Sequence, residues 1–157
     1  MPFKTKNRLD QNWWGIERKV GRFLGSPKAD VMLVQTLLNA IQQTENGGVF
    51  IVWSVPPPSD TLVVDGFCGP ITTNWIVWFQ QAQALYRDGI VDPVFPPVDD
   101  PTIGGDRRGS LSGKIYAISQ LNKLFALAQP LWHLQFDTDG RTHPFLRASL
   151  AGKQLPA

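Results

Sequence analysis

Apolar residues recur at helical spacing in three stretches of the chain, over residues 31–43, 70–86 and 110–128. In each stretch they fall three or four positions apart, which places them on one face of an α-helix. Asp30 is a suitable N-cap for the first stretch, Pro70 suits the first turn of the second, and Ser110 or Ser112 can cap the third, which Pro130 ends. The pattern therefore predicts three helices, each with one face buried in a common core.

Shorter apolar runs predict β-hairpins. Residues 49–55 and 61–64 are rich in β-branched and aromatic side chains, and the stiff link Pro56-Pro57-Pro58 separates them. They are expected to pair as a hairpin with a proline-rich tip. Alternation on both sides of Asp139-Gly140 predicts a second hairpin. Near the N-terminus, Asp10 is expected to cap a short helix that runs to about Val20.

The length of 157 residues fits one domain with appended arms. Residues 1–19 are expected to form an N-terminal arm and residues 20–128 the main module. Two insertions interrupt this module, at about 47–62 and 94–111, and the second is rich in proline and glycine, which favours a surface loop. Residues 129–157 are expected to pack on the module as a C-terminal extension.

Composition excludes several classes of function. Fifteen basic and thirteen acidic side chains give a net charge of only +2, which is too small to indicate nucleic-acid binding. Cys68 is the single cysteine, so no internal disulfide can form, and a small buried apolar group is the favoured interpretation of its side chain. No apolar run reaches the roughly 18 residues that a membrane-spanning helix needs, so no membrane partner is expected.

Two Asp-Gly turns flank the second predicted helix, Asp65-Gly66 before it and Asp88-Gly89 after it. Glycine takes a positive φ at little cost, and the aspartate carboxylate accepts hydrogen bonds from backbone N–H groups two residues on. Gly69-Pro70 then starts the helix. The sequence thus predicts turn, helix and turn from residue 63 to residue 92.

A longer pattern includes these turns. It consists of Val64-Asp65-Gly66-x-x-Gly69-Pro70-x-Thr72, then Ile76-x-x-Phe79-Gln80, then Asp88-Gly89-x-Val91-Asp92, preceded by Val20-Gly21 and Asp30-Val31-x-x-Val34-Gln35-x-Leu37-Leu38-Asn39 and followed by Leu121-Asn122. This pattern resembles the peptidoglycan-binding domain family, a small three-helix module usually attached to cell-wall enzymes. The similarity spans roughly residues 20 to 127, outside the two insertions.

The resemblance implies a mainly α fold, a three-helix peptidoglycan-binding-domain-like bundle enlarged here by β-hairpins and a proline-rich loop. It implies non-catalytic binding of bacterial cell-wall peptidoglycan, through glycan strands or stem peptides, with no cofactor and no metal. The ligand-binding residues that follow from matching positions are Asn39, Asp65, Gly66, Gly69, Thr72, Gln80 and Asp92.

Three further candidates come from their own chemistry. Trp53 can stack on the apolar face of a sugar or pack within the protein, and Arg107-Arg108 can grip stem-peptide carboxylates or remain solvated. Of the matched positions, Gln35 and Asn39 can equally tie their helix to a neighbouring loop. The pair Trp13-Trp14 is either a sugar-stacking platform or, as is favoured, a plug that attaches the arm to the core.

No pattern indicates an enzyme. His133, Asp137, Asp139 and His143 are the one cluster that resembles a metal site, and an ordinary turn with satisfied side chains is favoured over it. No nucleophile motif, phosphate-binding loop or evident pair of catalytic carboxylates is present.

Delivery to the wall needs an explanation, because the basic N-terminus leads into polar Gln11-Asn12 without an apolar signal segment. The chain is expected to be made in the cytoplasm and to act at the periplasm or cell wall after delivery by a phage particle or a secretion system. The alternative function is a protein-interaction or structural adaptor of such a particle or apparatus, with the insertions as docking surface for a protein partner or for self-association.

Overall fold

The computed structural model describes residues 1–6, 10–93 and 116–152. Two strands and five helices lie within these ranges: β1 Phe3–Lys6, β2 Asn12–Gly15, α1 Lys28–Ala40, α2 Pro70–Ala82, α3 Ala117–Ala128, α4 Pro130–Leu134 and α5 Pro144–Ala151. None of these helices is long and apolar enough to cross a membrane.

Helix α1 lies at the centre of the described structure. Every residue of α1 except Lys28 and Asn39 is buried, and α1 packs against α2, α3 and α5. A helix that is buried on all sides must be surrounded by other elements, which is why the remaining helices and the strand pair are arranged around it. A single apolar cluster includes residues from both strands and all five helices.

The prediction of a three-helix bundle with added hairpins was wrong. Helices α1 and α2 lie where the apolar spacing places them, but the described chain has five helices, and its one sheet is a two-stranded sheet formed by residues 3–6 and 12–15. The expected starts of the third helix, Ser110 and Ser112, lie outside the described residues, and α3 is described from Ala117.

The N-terminal arm forms strands instead of the predicted short helix. Strands β1 and β2 pair antiparallel, with Phe3 opposite Gly15 and Lys6 opposite Asn12. Asp10 has a φ of 59°, a left-handed conformation that suits a turn and cannot continue a helix. Trp13 and Trp14 are both fully buried, which an extended chain achieves by directing consecutive side chains to opposite faces. The interpretation of this pair as a plug on the core is confirmed.

The predicted hairpin of residues 49–55 and 61–64 does not form. Its backbone carbonyl groups accept hydrogen bonds from other elements: Leu62 O from Asn39 Nδ2 at 2.7 Å, Asp60 O from Trp75 Nε1 at 3.0 Å and Val55 O from Trp78 Nε1 at 2.8 Å. Hydrogen bonds from side chains of α1 and α2 therefore fix this connection, and no strand ladder forms in it.

The C-terminal extension contains two short helices where the second hairpin was predicted. Helices α4 and α5 each begin at a proline, whose fixed φ suits a first helical position, and Asp139-Gly140 lies in the connection between them. The Glu45 carboxylate accepts hydrogen bonds from the N–H groups of Leu131 and Trp132 at the start of α4. This contact fixes the extension to the loop that follows α1.

Arg141 reinforces the same connection. Its guanidinium donates to Glu45 Oε2 and Asp139 Oδ2, both at 2.8 Å, and lies 4.9 Å from the centre of the Trp132 ring. These bonds hold the pKa of the Asp139 carboxyl well below its usual range and also lower that of Glu45.

His133 makes the stability of this region dependent on pH. The ring is 5% exposed and packs edge-on against Phe125, and its Nε2 has no hydrogen-bond partner among the described residues. Burial lowers the pKa of His133 to about 4, whereas an unfolded histidine titrates near 6.5. The folded state thus takes up the proton less readily, so its stability is constant above the unfolded pKa and falls as the pH drops from about 6.5 to about 4, by roughly 3 kcal/mol in total.

Replacement His133→Phe tests this dependence, because it keeps the ring packing and removes the titrating group. Urea unfolding at neutral pH and at about pH 4.5 should show a smaller acid loss of unfolding free energy in the variant than in the parent. Equal acid losses in the two proteins would contradict the assignment.

Candidate functional site

Gln35 of α1 holds the first Asp-Gly turn. Its side chain is fully buried, and Nε2 donates to Asp65 Oδ1 at 3.0 Å, to Phe67 O at 3.1 Å and to Thr72 Oγ1 at 3.0 Å. Its Oε1 accepts from the N–H groups of Asp65 at 3.1 Å and Gly66 at 3.0 Å. Gly66 has a φ of 79°, so the turn requires a glycine here.

Gln80 of α2 holds the second Asp-Gly turn in the same way. Its Nε2 donates to Asp88 Oδ1 and to Ile90 O, both at 3.0 Å, and its Oε1 accepts from Gly89 N at 2.9 Å. In both turns the aspartate carboxylate also accepts from the N–H two residues on, at 2.9 Å. We call this arrangement, of a helix glutamine bonded to an Asp-Gly turn, the glutamine clasp.

The two clasps contain four of the ten residues predicted to bind ligand. Asp65, Gly66, Thr72 and Gln80 form hydrogen bonds within the clasps. Asn39 donates to Leu62 O, as its structural alternative predicts. These hydrogen bonds give the residues a structural role, and Asp65, Gly66 and Thr72 also line the depressions beside the first turn.

The other candidates are dispersed. Trp53 is half-buried and packs edge-on against Trp78, with ring centres 4.9 Å apart. Asp92 Oδ1 lies 3.7 Å from Lys19 Nζ, beside the bridge between Val20 and Val91. Arg107 and Arg108 lie outside the described residues. Gly69 borders the depressions that flank the first turn.

A surface groove surrounds the first turn. A depression of about 310 Å³ lies between residues 21–26 and residues 66–70, and a second of about 150 Å³ lies on residues 61–72. Phe67, Gly69 and Pro70 line both depressions. We call the two depressions together the turn groove.

Two aromatic side chains of the turn groove project into solvent. Phe23 is 89% exposed and Phe67 is 70% exposed. Phe23 has a φ of 63°, an uncommon conformation for a bulky residue, and the Arg22 guanidinium lies 4.6 Å from the centre of its ring. A side chain at Gly69 would begin 2.6 Å from the Phe67 ring, so this glycine permits the ring position.

Sequence reasoning missed Phe23 and Phe67. Both follow a residue of the recognised pattern by one or two positions, which is the only signal that the sequence offers. Hydrophobic patterning treats an isolated phenylalanine as a core residue, whereas Phe23 has a left-handed backbone and Phe67 follows the positive φ of Gly66.

The turn groove contains one thiol, that of half-buried Cys68. Burial raises the pKa of this thiol, and a hydrogen bond with Thr73 opposes the rise only in part. A thiol with a raised pKa stays protonated near neutral pH and is a poor nucleophile. The favoured interpretation of Cys68 as a packing residue is consistent with this environment.

The four residues of the suspected metal cluster have separate roles. Asp137 Oδ2 pairs with Lys4 Nζ at 3.3 Å, Asp139 pairs with Arg141, and His143 Nδ1 accepts from Phe145 N at 3.1 Å to cap α5. His133 is buried among aromatic rings. Within residues 1–6, 10–93 and 116–152 no group of three histidine, cysteine or acidic residues could hold a metal ion.

Comparisons with protein-family models, with curated proteins and with solved structures found no match. The turn groove is therefore defined by geometry alone: two exposed aromatic rings, a glycine-rich wall and a neighbouring guanidinium.

Proposed function

We propose that this chain is a non-catalytic module that binds bacterial peptidoglycan at the turn groove. The supporting observation is the pair of exposed rings, Phe23 and Phe67, on one depression of about 310 Å³. The apolar face of a sugar packs on such a ring, while its hydroxyl and amide groups seek hydrogen bonds at the rim.

The remaining lining of the larger depression suits the polar part of the ligand. Gly21, Gly25, Gly66 and Gly69 contribute no side chains, so a ligand can approach the backbone there. Arg22 lines the same depression and supplies a guanidinium at its rim. This cation favours a ligand with carboxylates, such as a stem peptide.

The first glutamine clasp supplies the rigidity that the turn groove needs. Gln35 fixes the Asp65 carboxylate, the Phe67 carbonyl and the Thr72 hydroxyl, which together set the position of the Phe67 ring relative to α2. A preformed groove loses less conformational entropy on binding than a loop that orders around its ligand. Affinity for one site is expected to be weak, and the repeating wall polymer compensates by offering many sites.

Phe67→Ala is expected to weaken sedimentation with purified murein sacculi about tenfold, a loss on the order of 1.4 kcal/mol of binding free energy. Tyr86→Ala is the matched control, because Tyr86 is 82% exposed and lies outside the turn groove. Both variants should retain the melting temperature of the parent, since neither ring is in the core.

Three results would contradict the proposal. The parent chain could remain in the supernatant at high sacculus concentration, which would favour the adaptor function. The two variants could bind equally well, which would place the binding site elsewhere. A fall in turbidity of the sacculus suspension would show that the chain cuts peptidoglycan and is an enzyme.

A further inference from the structure

The segment 49–55 has the side-chain pattern of a β-strand without being part of a sheet. From Phe50 to Val55 the residues alternate between exposed and half-buried, and Ile51, Trp53 and Val55 pack against the core. Phe50 and Val52, on the opposite face, are 74% and 82% exposed. Alternation of this kind is typical of an extended strand with one face on the core.

The backbone of this segment is bonded only at its two ends within the described structure. Val49 N donates to Leu127 O at 2.7 Å and Val55 O accepts from Trp78 Nε1, but in the described structure no bond involves a backbone N–H or C=O group from Phe50 to Ser54. Residues 61–64 were expected to pair with it, but Leu62 O accepts a hydrogen bond from Asn39 of α1 instead. Such an open strand edge is a template for pairing with another strand.

We propose that this edge pairs with the same edge of a second copy of the chain, antiparallel about a two-fold axis at Val52. This places Val52 opposite Val52, Ile51 opposite Trp53 and Phe50 opposite Ser54, so that exposed side chains share one face and half-buried ones the other. The proposal does not depend on the function of the turn groove.

Charge and chain composition favour a second copy as the occupant. The chain has no charged residue between Glu45 and Asp60, so a two-fold pair brings no like charges together. Gly47-Gly48 and Pro56-Pro57-Pro58 bound the segment on its two sides. Proline has no N–H for a ladder, so these residues limit the length of the paired strand.

Self-pairing would also change how strongly the chain binds a repeating polymer. A short strand pair with two exposed apolar residues on each copy is a small interface, so the dimer should form and dissociate with concentration. A dimer carries two turn grooves, which strengthens attachment to a repeating polymer without any new contact.

Sedimentation velocity without any wall material tests the proposal, from micromolar to near-millimolar protein. The parent should shift from monomer to dimer over this range. Val52→Lys should weaken dimerisation at least about tenfold, because it places two ammonium groups directly opposite each other. Tyr86→Lys introduces the same charge at a side chain that is equally exposed, at 82%, and should dimerise like the parent.

A mixture of Val52→Lys and Val52→Glu should recover the dimer, because lysine then faces glutamate across the axis. In the parent dimer, amide hydrogen exchange should slow for alternate residues within 50–54. A parent that stays monomeric, a Val52→Lys variant that dimerises like the parent, or a mixture that stays monomeric would overturn the proposal. So would protection of these amides only on addition of a different protein, since the occupant would then be another chain.

Discussion

Gln35→Leu is expected to lower the free energy of unfolding by about 3–4 kcal/mol, the largest effect of any single polar replacement considered. Leucine fills a similar volume but removes both the donor and the acceptor of the first glutamine clasp. Asp65 Oδ1, Phe67 O and Thr72 Oγ1 lose a donor, and the N–H groups of Asp65 and Gly66 lose an acceptor. The turn is partly exposed, so water replaces some of these hydrogen bonds. The loss of unfolding free energy is therefore smaller than the sum of five separate hydrogen-bond contributions.

Urea unfolding compares this variant with two others. Gln80→Leu breaks the second clasp and should cost somewhat less, about 2–3 kcal/mol, because the second clasp lacks counterparts of the Thr72 bond and of the Asp65 N–H bond. Gln81→Leu, on the exposed face of α2, should change the free energy of unfolding by less than about 0.5 kcal/mol. A Gln35→Leu variant as stable as Gln81→Leu would show that the turn is held by other contacts.

Asn122→Leu is expected to cost about 3 kcal/mol because it detaches the strand pair from α3. Asn122 is fully buried, and its Oδ1 accepts from Trp14 N at 2.9 Å while Nδ2 donates to Trp14 O at 2.8 Å. The side chain thus pairs with both backbone groups of Trp14, as a neighbouring strand would. Leucine leaves these two groups buried without partners, each at a cost of about 1–3 kcal/mol.

Asn74→Leu is the control for this second replacement, since Asn74 is an exposed asparagine in the middle of α2. Thermal and urea unfolding should separate the two variants clearly, with Asn74→Leu close to the parent. If Asn122→Leu were also close to the parent, the strand pair would not depend on this asparagine for its attachment to the core.

Local signals in the sequence predict α1, α2 and the two turns. The apolar spacing of residues 31–43 and the Gly69-Pro70 helix start act over a few neighbouring positions, and so does the positive φ of Gly66 and Gly89. No distant residue is needed to decide these elements.

The elements that were predicted wrongly depend on distant partners. Whether Trp13 and Trp14 lie in a helix or a strand depends on Asn122, more than a hundred positions away, and the hairpin at 49–64 is displaced by side chains of α1 and α2. Helix α4 has five residues, too few for the helical period to be distinguished from strand alternation.

In the candidate site, too, some features follow from local sequence and others only from the folded chain. Asp65, Gly66, Thr72 and Gln80 were expected to contact ligand because they belong to the recognised pattern, and the structure shows that they form the hydrogen bonds of the two clasps. A sequence pattern records which residues are needed for a local geometry without recording what that geometry presents to solvent. The exposed rings of Phe23 and Phe67 follow from backbone conformation, so only the folded chain reveals them.

The most direct test of the account is a titration of the ¹⁵N-labelled chain with soluble muropeptides, followed by amide chemical shifts. Binding at the turn groove predicts concentration-dependent shifts at Gly21, Phe23, Gly66 and Gly69, with Gly89 at the second clasp and Gly140 in the C-terminal extension unchanged. The absence of shifts at millimolar muropeptide, or shifts centred on residues far from the turn groove, would contradict the central claim.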